Sequence, residues 1–269
     1  DGLLRVAIKL VKGGVFSTWA HRCLKAQDKI QALPPTGDFT NDLDPSGSRI
    51  YCCIAAGSGI TPILSIVKTI LATEHQSRVV MLYGNKRVST IMFLEEINGL
   101  KNQHMERLQV HHVLTREPSF AKLLSGRMDG EKALQIIQRS KLNTRQMEFF
   151  VCGPNEMSSD IIESLLGGGV DKSSIHSESF GHSVTKKKLE ESIPLPTRTS
   201  CVATLKYDGR IFEVKFDPQK DTILRAALNQ GVTLPYSCKA GACATCRGLL
   251  LQGQVVMDKS HALDDSSLD

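Results

Sequence analysis

The sequence predicts an α/β domain built on a parallel sheet, followed by a smaller β-rich domain. Before residue 181, four apolar strand-like runs alternate with four helix-like stretches, a pattern typical of parallel strands joined by crossover helices. Residues 181–198 carry charges and two prolines but little apolar periodicity, as an interdomain linker does. After this linker, two alternating runs flank Asp208 and Gly209, a pair that favours a tight β-hairpin. The length of 269 residues also fits about two domains.

The spacing of apolar residues predicts each element in turn. In the first domain we expect strands over residues 49–54, 78–83, 109–114 and 146–152 and helices over residues 62–72, 91–101, 131–139 and 156–166. Residues 3–11, near the start, are also strand-like. In the second domain, strands over 201–207 and 211–216 precede a short helix, for which Asp221 is the expected N-cap and Gly231 the C-terminal stop.

Composition excludes several classes of protein and of partner. Hydrophobic residues make up 41% and charged residues 23% of the chain, which argues against a collagen-like, disordered or coiled-coil protein. There is no run of about 18 apolar residues that would span a membrane, and no signal-peptide pattern. The net charge of +5 is not gathered into a basic arm. We therefore expect a soluble, cytoplasmic protein without a membrane or nucleic-acid partner.

Three of the eight cysteines form a compact group near the end of the chain. Cys238, Cys243 and Cys246 have the C-x4-C-x2-C spacing of a plant-type 2Fe-2S site. The small residues between them would let backbone N–H groups point at the cluster sulfurs. A structural zinc site with His261 or Cys201 as the fourth ligand is the alternative, although zinc sites usually show paired short spacings.

A glycine-rich turn lies between the first predicted strand and its helix. Gly57, Ser58 and Gly59 form this turn, called the Gly57 turn below, and Thr61 and Pro62 follow as the expected helix cap and first helical residue. Glycines let a phosphate approach the backbone, and a helix N-terminus supplies oriented N–H groups. The turn therefore predicts a dinucleotide pyrophosphate site. The full G-x-G-x-x-G fingerprint is not met, so an ordinary strand-to-helix connection stays open.

A second turn follows the strand over residues 146–152. Cys152, Gly153 and Pro154 form it, and it is called the Cys152 turn below. Because ligands of open α/β sheets bind outside the carboxyl ends of the strands, the two turns are expected to face one pocket. Cys52 and Cys53, within the first strand, are expected to be plain core residues.

Basic residues follow the second and third strands. Lys86 and Arg87 occupy a place where an NAD site often offers a carboxylate, and Arg116 follows the third strand. Cations there favour the 2′-phosphate of NADPH, so we expect NADPH to be preferred over NADH. Solvated surface charges without such a role are the alternative.

A third glycine turn occurs near the start of the chain. Gly13 and Gly14 precede a short helix that opens with Val15, Phe16 and Ser17. Backbone N–H groups and a hydroxyl at such a position can bind a phosphate. By itself, however, this arrangement is a common turn.

Taken together, these segments resemble the ferredoxin-NADP reductase family fused to a plant-type ferredoxin of β-grasp fold. The match comprises Gly-Ser-Gly-Ile-Thr-Pro, then Cys-Gly-Pro-x-x-Met about ninety residues later, and the thiol loop. The resemblance implies a flavin pyrophosphate segment at residues 13–17, and it places Thr61, Cys152 and Gly153 beside the nicotinamide, with Thr61 and Cys152 as the catalytic pair. It also implies that Glu178 and Phe180 lie near the flavin, and that the cofactors are FAD, NADPH or NADH, and a 2Fe-2S cluster.

The resemblance also implies a division into domains. Residues 1–46 would be the C-terminal part of a flavin-binding β-barrel, residues 47–180 the NAD(P)-binding domain, 181–198 the linker and 199–269 the ferredoxin domain. The family's fourth cysteine ligand does not follow Cys246, and its Arg-x-Tyr-Ser flavin motif is missing upstream. We therefore expect a chain truncated at both ends.

The order of these segments resembles the reductase subunits of multicomponent oxygenases. Residues 13–19 and 83–85 are most similar to the phenylacetyl-CoA epoxidase reductases of phenylacetate degradation. This implies hydride transfer from NADPH to FAD, single-electron transfer to the cluster, and delivery to a di-iron oxygenase. A reductase of another ring-hydroxylating or alkane-oxidising system, or a cluster-bearing electron-carrier module without turnover, is the alternative.

Overall fold

A computed structural model describes residues 4–32, 39–118, 121–140, 142–178, 200–236, 239, 241 and 245–257. The chain divides into two compact units, Asp1–Gly181 and His182–Asp269. Residues 181–198, the predicted linker, lie outside the described ranges, so the domain boundaries given above stay predictions. In the part of the chain that the structure describes, every helix is too short or too polar to serve as a transmembrane span.

The first unit is built on a five-stranded parallel sheet with the strand order β3-β2-β1-β4-β5. Its strands are β1 (Ile50–Ala56), β2 (Arg78–Asn85), β3 (Leu108–Leu114), β4 (Met147–Cys152) and β5 (Ile175–Glu178). Its helices are α1 (Val15–Cys23), α2 (Ile60–Thr73), α3 (Leu94–Gln103), α4 (Gly130–Arg139) and α5 (Asn155–Gly167). The order of strands reverses between β1 and β4, and this reversal opens a crevice at their carboxyl ends.

Two cores cover the two faces of the sheet. Alternate residues of β1 and β2 pack against α2 and α3 on one face and against α4 and α5 on the other. Cys52 and Cys53 belong to opposite cores and are fully buried, as expected. Burial raises the pKa of both thiols, so both stay protonated core side chains. The α/β class of this unit is confirmed.

Helix α2 begins earlier than predicted, and its expected cap was wrong. Residues Gly57–Gly59 coil into a 3-10 turn that leads directly into α2 at Ile60. Thr61 therefore lies inside the helix, where its hydroxyl donates a hydrogen bond to the Ser58 carbonyl oxygen at 3.1 Å. Pro62 occupies the third helical position, which still lies within the first turn, where no intrahelical N–H bond is lost.

The second unit contains an antiparallel hairpin and one helix among its described residues. Strands β6 (Cys201–Tyr207) and β7 (Arg210–Phe216) pair around Asp208 and Gly209, which have φ values of 50° and 72°. Two successive positive φ values are the mark of the type I′ turn. Helix α6 (Ile223–Asn229) follows, and the hairpin packs on it through Val214.

The predicted cap of α6 was wrong by one residue. Thr222 is the N-cap, because its side chain accepts a hydrogen bond from the Arg225 N–H at 3.3 Å. Asp221 instead forms an ion pair with the Arg225 side chain at 3.2 Å. Gly231 lies after the helix with φ of 78°, as expected of a C-terminal stop.

The beginning of the chain differs most from expectation. In the described part of residues 3–11, no strand forms, and among the described residues before β1 the one regular element is α1. A strand forms only where a neighbouring strand supplies partners for its backbone groups, and none pairs with this segment among the described residues. Residues 33–38 lie outside the described ranges.

Candidate functional site

The Gly57 turn and the Cys152 turn lie in direct contact. Ala55 and Cys152 are register partners at the ends of β1 and β4. A Cβ atom built on Gly59 would lie 2.1 Å from the Cys152 carbonyl oxygen, and one built on Gly153 would lie 3.3 Å from the Ala56 nitrogen. Only glycine fits at position 59, and a side chain at position 153 would be tight against Ala56. The structure thus brings together the two turns that the sequence analysis singled out, at the crevice where the strand order reverses.

The carbonyl groups of the Gly57 turn are engaged from within the domain. Gly57 has a φ of 57°, and its carbonyl oxygen accepts a hydrogen bond from the Tyr83 hydroxyl at 3.0 Å. The Ser58 carbonyl oxygen accepts from Thr61, as described above. No side chain caps the start of α2. Uncapped N–H groups and the positive end of the helix dipole suit the oxygens of a phosphate.

Cys152 and Glu178 lie side by side at the same edge of the sheet. They are register partners at the ends of β4 and β5. Burial, with a further contribution from the Glu178 charge, raises the pKa of the Cys152 thiol to about 12. Burial also raises the pKa of the Glu178 carboxyl. The thiol is therefore neutral at physiological pH and is not a thiolate nucleophile. Pro154 is the N-cap of α5, and Phe180 lies outside the described residues.

The predicted cations lie on two neighbouring segments just beyond the ends of β2 and β3. The Arg116 N–H donates to the Lys86 carbonyl oxygen at 2.9 Å, so the two segments run side by side. The side chains of Lys86, Arg87 and Arg116 are exposed. Within the described ranges, no salt bridge neutralises any of the three.

Sequence reasoning missed a fourth cation, Arg127. The Gly126 N–H donates to the Leu114 carbonyl oxygen at 2.9 Å, which holds this segment against the end of β3. Met128, two residues after Gly126, is buried and packs beside Gly84 near the end of β2. Arg127 lies between these two anchors with its side chain exposed. It follows a loop with no apolar period, so no sequence pattern indicated its place.

The glycine pair near the start of the chain forms a turn before α1. Gly13 has a φ of 77°, and the Gly14 N–H donates to the Val11 carbonyl oxygen at 2.9 Å. The Ser17 hydroxyl accepts from the Val11 N–H at 3.2 Å. No side chain caps α1, and Val15 and Phe16 are exposed. These residues fit a phosphate at the start of the helix.

This N-terminal segment also reaches the Gly57 turn. The Lys9 ammonium nitrogen would lie 3.1 Å from a Cβ atom built on Gly57. The Arg5 guanidinium pairs with Glu96 of α3 at 2.9 Å and lies over the Phe93 ring at 5.1 Å. The segment thus crosses from α3 to the Gly57 turn within the first unit.

The thiol loop lies largely outside the described residues. Of its three cysteines, Cys246 is described and is exposed, whereas Cys238 and Cys243 are not described. Nearby, the Lys239 ammonium lies 4.2 Å from the centre of the Tyr236 ring. Among the residues that the structure covers, no three potential ligands come together to hold a metal ion. The candidate cluster therefore rests on the spacing of the cysteines.

Two family models match the chain. The oxidoreductase NAD-binding domain matches residues 53–162, which include both turns, and the 2Fe-2S iron-sulfur cluster binding domain matches residues 205–269. Two curated relatives align over nearly the whole chain. A component of the 1,2-phenylacetyl-CoA epoxidase of Escherichia coli (strain K12) is 36% identical over 99% of this chain and 74% of its own length. The ferredoxin reductase component of the 3-ketosteroid-9-alpha-monooxygenase of Rhodococcus rhodochrous is 27% identical over 100% of this chain and 73% of its own length.

Solved structures resemble a little under two thirds of the chain. The flavohem-like FAD/NAD-binding domain of the nitric oxide dioxygenase of Vibrio cholerae superposes with a TM-score of 0.52 and 27% identity, over 62% of this chain and 65% of its own. The Amycolatopsis cytochrome P450 reductase GcoB gives a TM-score of 0.55 at 24% identity, over 63% of this chain and 50% of its own, and shows the fold alone. This chain therefore spans less than two thirds of either solved chain.

The family models confirm two of the predicted classes of cofactor, a nicotinamide dinucleotide and a 2Fe-2S cluster. They also confirm that the chain is an oxidoreductase. With 36% identity to a relative of which it covers 74%, the chain belongs to the family of reductase components of oxygenases that join a ferredoxin-NADP-reductase-type NAD-binding domain to a 2Fe-2S ferredoxin domain.

Proposed function

We propose that this chain takes electrons from NADPH and delivers them through FAD and a 2Fe-2S cluster to a di-iron oxygenase, the phenylacetyl-CoA epoxidase. The observation that carries the proposal is the contact between the Gly57 and Cys152 turns at the crevice, with Glu178 beside them. When bound, a flavin accepts two electrons as hydride and passes them on singly. The free thiols Cys52, Cys53 and Cys152 suit the reducing cytoplasm, where the reductase would act.

Different residues of the crevice would contact the pyrophosphate and the nicotinamide of the dinucleotide. Gly57, Ser58, Gly59 and Pro62 would surround the pyrophosphate at the start of α2. The Thr61 hydroxyl donates its hydrogen bond to the Ser58 carbonyl oxygen. The Thr61 hydroxyl oxygen can therefore still accept a hydrogen bond from the nicotinamide carboxamide. Cys152, Gly153 and Pro154 would line the nicotinamide side. Because the Cys152 thiol is neutral, it adds no charge to the site and would position the ring.

The remaining predicted residues serve the other two cofactors. Gly13, Gly14, Val15, Phe16 and Ser17 would bind the flavin pyrophosphate at the start of α1, and Glu178 and Phe180 would lie near the flavin ring. The pKa of Glu178 is raised by burial, which suits a carboxyl group that holds a proton near a reacting ring. The thiolates of Cys238, Cys243 and Cys246 would bind iron.

The preference for NADPH rests on the cations beyond β2 and β3. Arg87 and Arg116 are exposed and lack a salt bridge to any described residue, and Arg127 adds a third guanidinium nearby. Guanidinium groups form strong charge-assisted hydrogen bonds with phosphate. These three side chains together support a 2′-phosphate site for NADPH over NADH.

The identity of the oxygenase is supported by the relative from Escherichia coli. Identity to that epoxidase component is 36%, against 27% for the 3-ketosteroid-9-alpha-monooxygenase component. The second relative supports the alternative that another oxygenase is the acceptor.

An acceptor assay tests the proposal directly. The full-length protein is mixed anaerobically with NADPH and either ferricyanide or the di-iron oxygenase component of the phenylacetyl-CoA epoxidase with its substrate. We expect both acceptors to be reduced, and epoxide to form on exposure to oxygen. Reduction of ferricyanide without reduction of the oxygenase would show that the chain is a reductase whose acceptor is another protein. Failure with both acceptors would support an electron-carrier module without turnover.

A further inference from the structure

Tyr83 connects the interior of the sheet to the Gly57 turn. It lies near the end of β2, is fully buried, and belongs to the core formed with α2 and α3. Its hydroxyl reaches out of this core to the Gly57 carbonyl oxygen at 3.0 Å. We propose that Tyr83 is a positioning residue that sets the orientation of the Gly57 turn for binding the dinucleotide pyrophosphate. This inference rests on the dinucleotide site proposed above.

The planarity of the peptide bond couples each carbonyl group of the Gly57 turn to the N–H that follows it. In a trans peptide, the carbonyl group and the following N–H point in opposite directions. When the Tyr83 hydroxyl holds the Gly57 carbonyl, the Ser58 N–H must point away from Tyr83. The bond from Thr61 to the Ser58 carbonyl turns the Gly59 N–H in the same manner. Both carbonyl groups are thus bound to the domain, and the two N–H groups face the opposite way.

This orientation needs a determinant because glycine does not supply one. Gly57 has a φ of 57°, and glycine adopts positive and negative φ values about equally well. A flipped peptide between Gly57 and Ser58 would present a carbonyl oxygen where a phosphate oxygen should bind, and the two would repel. A rigid phenol anchored in the core selects one orientation. The pKa of the Tyr83 hydroxyl is raised to about 12 by burial, so it remains a hydrogen-bond donor throughout the physiological range.

The chain offers a matched control in Tyr51. It is also fully buried in the same core, and its hydroxyl also donates a hydrogen bond, to the Glu74 carboxylate at 2.9 Å. However, Tyr51 lies near the start of β1, at the end of the sheet away from the two turns. Replacing either tyrosine by phenylalanine keeps the ring and removes every hydrogen bond of its hydroxyl, which for Tyr51 include one accepted from the Asn41 side-chain amide at 3.2 Å. A difference between the variants therefore reports on the turn rather than on the core.

The experiment measures the binding of ADP and NADP⁺ to the full chain by titration calorimetry. For Tyr83→Phe we expect both dissociation constants to rise about fivefold, which corresponds to the loss of one hydrogen bond. For Tyr51→Phe we expect wild-type affinity, although both variants melt at a lower temperature. In the flavin-loaded enzyme, Tyr83→Phe should raise the KM for NADPH and leave kcat unchanged. The backbone amides of residues 57–61 should exchange hydrogen faster in Tyr83→Phe than in the wild type.

The possible results separate the inference from the proposed function. Equal affinities and equal amide exchange in Tyr83→Phe and the wild type would overturn the role of Tyr83. A similar loss of affinity in both variants would also overturn it, because the cause would then be general loosening of the core. A wild-type chain that binds neither ADP nor NADP⁺ would instead overturn the dinucleotide site itself.

Discussion

At the scale of single residues, charge and burial decide what each group in the crevice can do. Cys152 and Glu178 are both held towards their neutral forms, because burial raises both pKa values. By contrast, Arg87, Arg116 and Arg127 present exposed guanidinium groups. In the proposed dinucleotide site, the nicotinamide end would thus be nearly neutral, whereas the adenosine end would be cationic.

We expect Arg127 to contribute to the choice between NADPH and NADH. Replacing Arg127 by glutamine (Arg127→Gln) should lower kcat/KM for NADPH about tenfold and leave that for NADH unchanged, because a charge-assisted hydrogen bond to the 2′-phosphate is lost. Steady-state reduction of ferricyanide with each nucleotide provides the measurement. The control is Arg139→Gln, which removes an exposed arginine at the end of α4. Equal losses with both nucleotides, or none, would contradict a 2′-phosphate site at Arg127.

At the scale of elements, a buried polar cluster fastens the amino ends of β1 and β2. The Glu74 carboxylate follows α2 and is fully buried. It pairs with Arg49, accepts from the Ser77 hydroxyl at 2.6 Å, and accepts from the Asp44 N–H at 3.0 Å. The cluster ties the segment that enters β1 to the end of α2. It therefore fixes the sheet at the end away from the Gly57 and Cys152 turns.

The pH dependence of stability follows from this cluster. Burial alone raises the pKa of Glu74, but hydrogen bonds from Arg49, Ser77 and Asp44 outweigh burial and hold the pKa below its usual value of 4.5. The folded state therefore binds the Glu74 proton less tightly than the unfolded state. The resulting stabilisation is complete above pH 4.5 and is lost as the pH falls through the lowered pKa.

We expect Glu74→Gln to lower the free energy of unfolding by about 3 kcal/mol at pH 7, because Arg49 loses its buried partner. The variant should also show a shallower loss of stability between pH 5 and pH 3 than the wild type. Urea denaturation at several pH values measures both effects. Glu163→Gln, at an exposed position of α5, should change stability by less than about 0.5 kcal/mol. Wild-type stability of Glu74→Gln at pH 7 would show that the cluster does not hold this end of the sheet.

Most elements of the fold were predictable from local patterns, and the errors have local causes. Strands β1 to β4 and helices α2 to α5 follow from apolar spacing, to within a few residues at their ends. Strand β5 was missed because it has only four residues and none is fully buried. The cap of α2 was misplaced because a 3-10 turn leads into the helix already at Ile60, and the cap of α6 was misplaced by one residue because Thr222, and not Asp221, accepts from the Arg225 N–H. The strand-like start of the chain has no partner strand among the described residues.

At the scale of the whole molecule, the site depends on the order of the strands. The sequence places the Gly57 and Cys152 turns about ninety residues apart, and only the pairing of β1 with β4 brings them into contact. The general rule for open sheets predicted a shared pocket, whereas Tyr83 and Arg127 could not be found from sequence. In the apolar pattern of β2, Tyr83 cannot be told from an ordinary core residue. The place of Arg127 is set by the hydrogen bond from the neighbouring Gly126 N–H to the Leu114 carbonyl oxygen, which no sequence pattern indicates.

The central claim is that electrons pass from a nicotinamide, through a flavin, to an iron-sulfur cluster. The absorbance spectrum and iron content of the full-length protein, before and after anaerobic addition of NADPH, test it most directly. We expect flavin and 2Fe-2S bands, about two iron atoms per chain, and bleaching of both sets of bands by NADPH. A colourless protein, zinc in place of iron, or bands that NADPH does not bleach would contradict the claim.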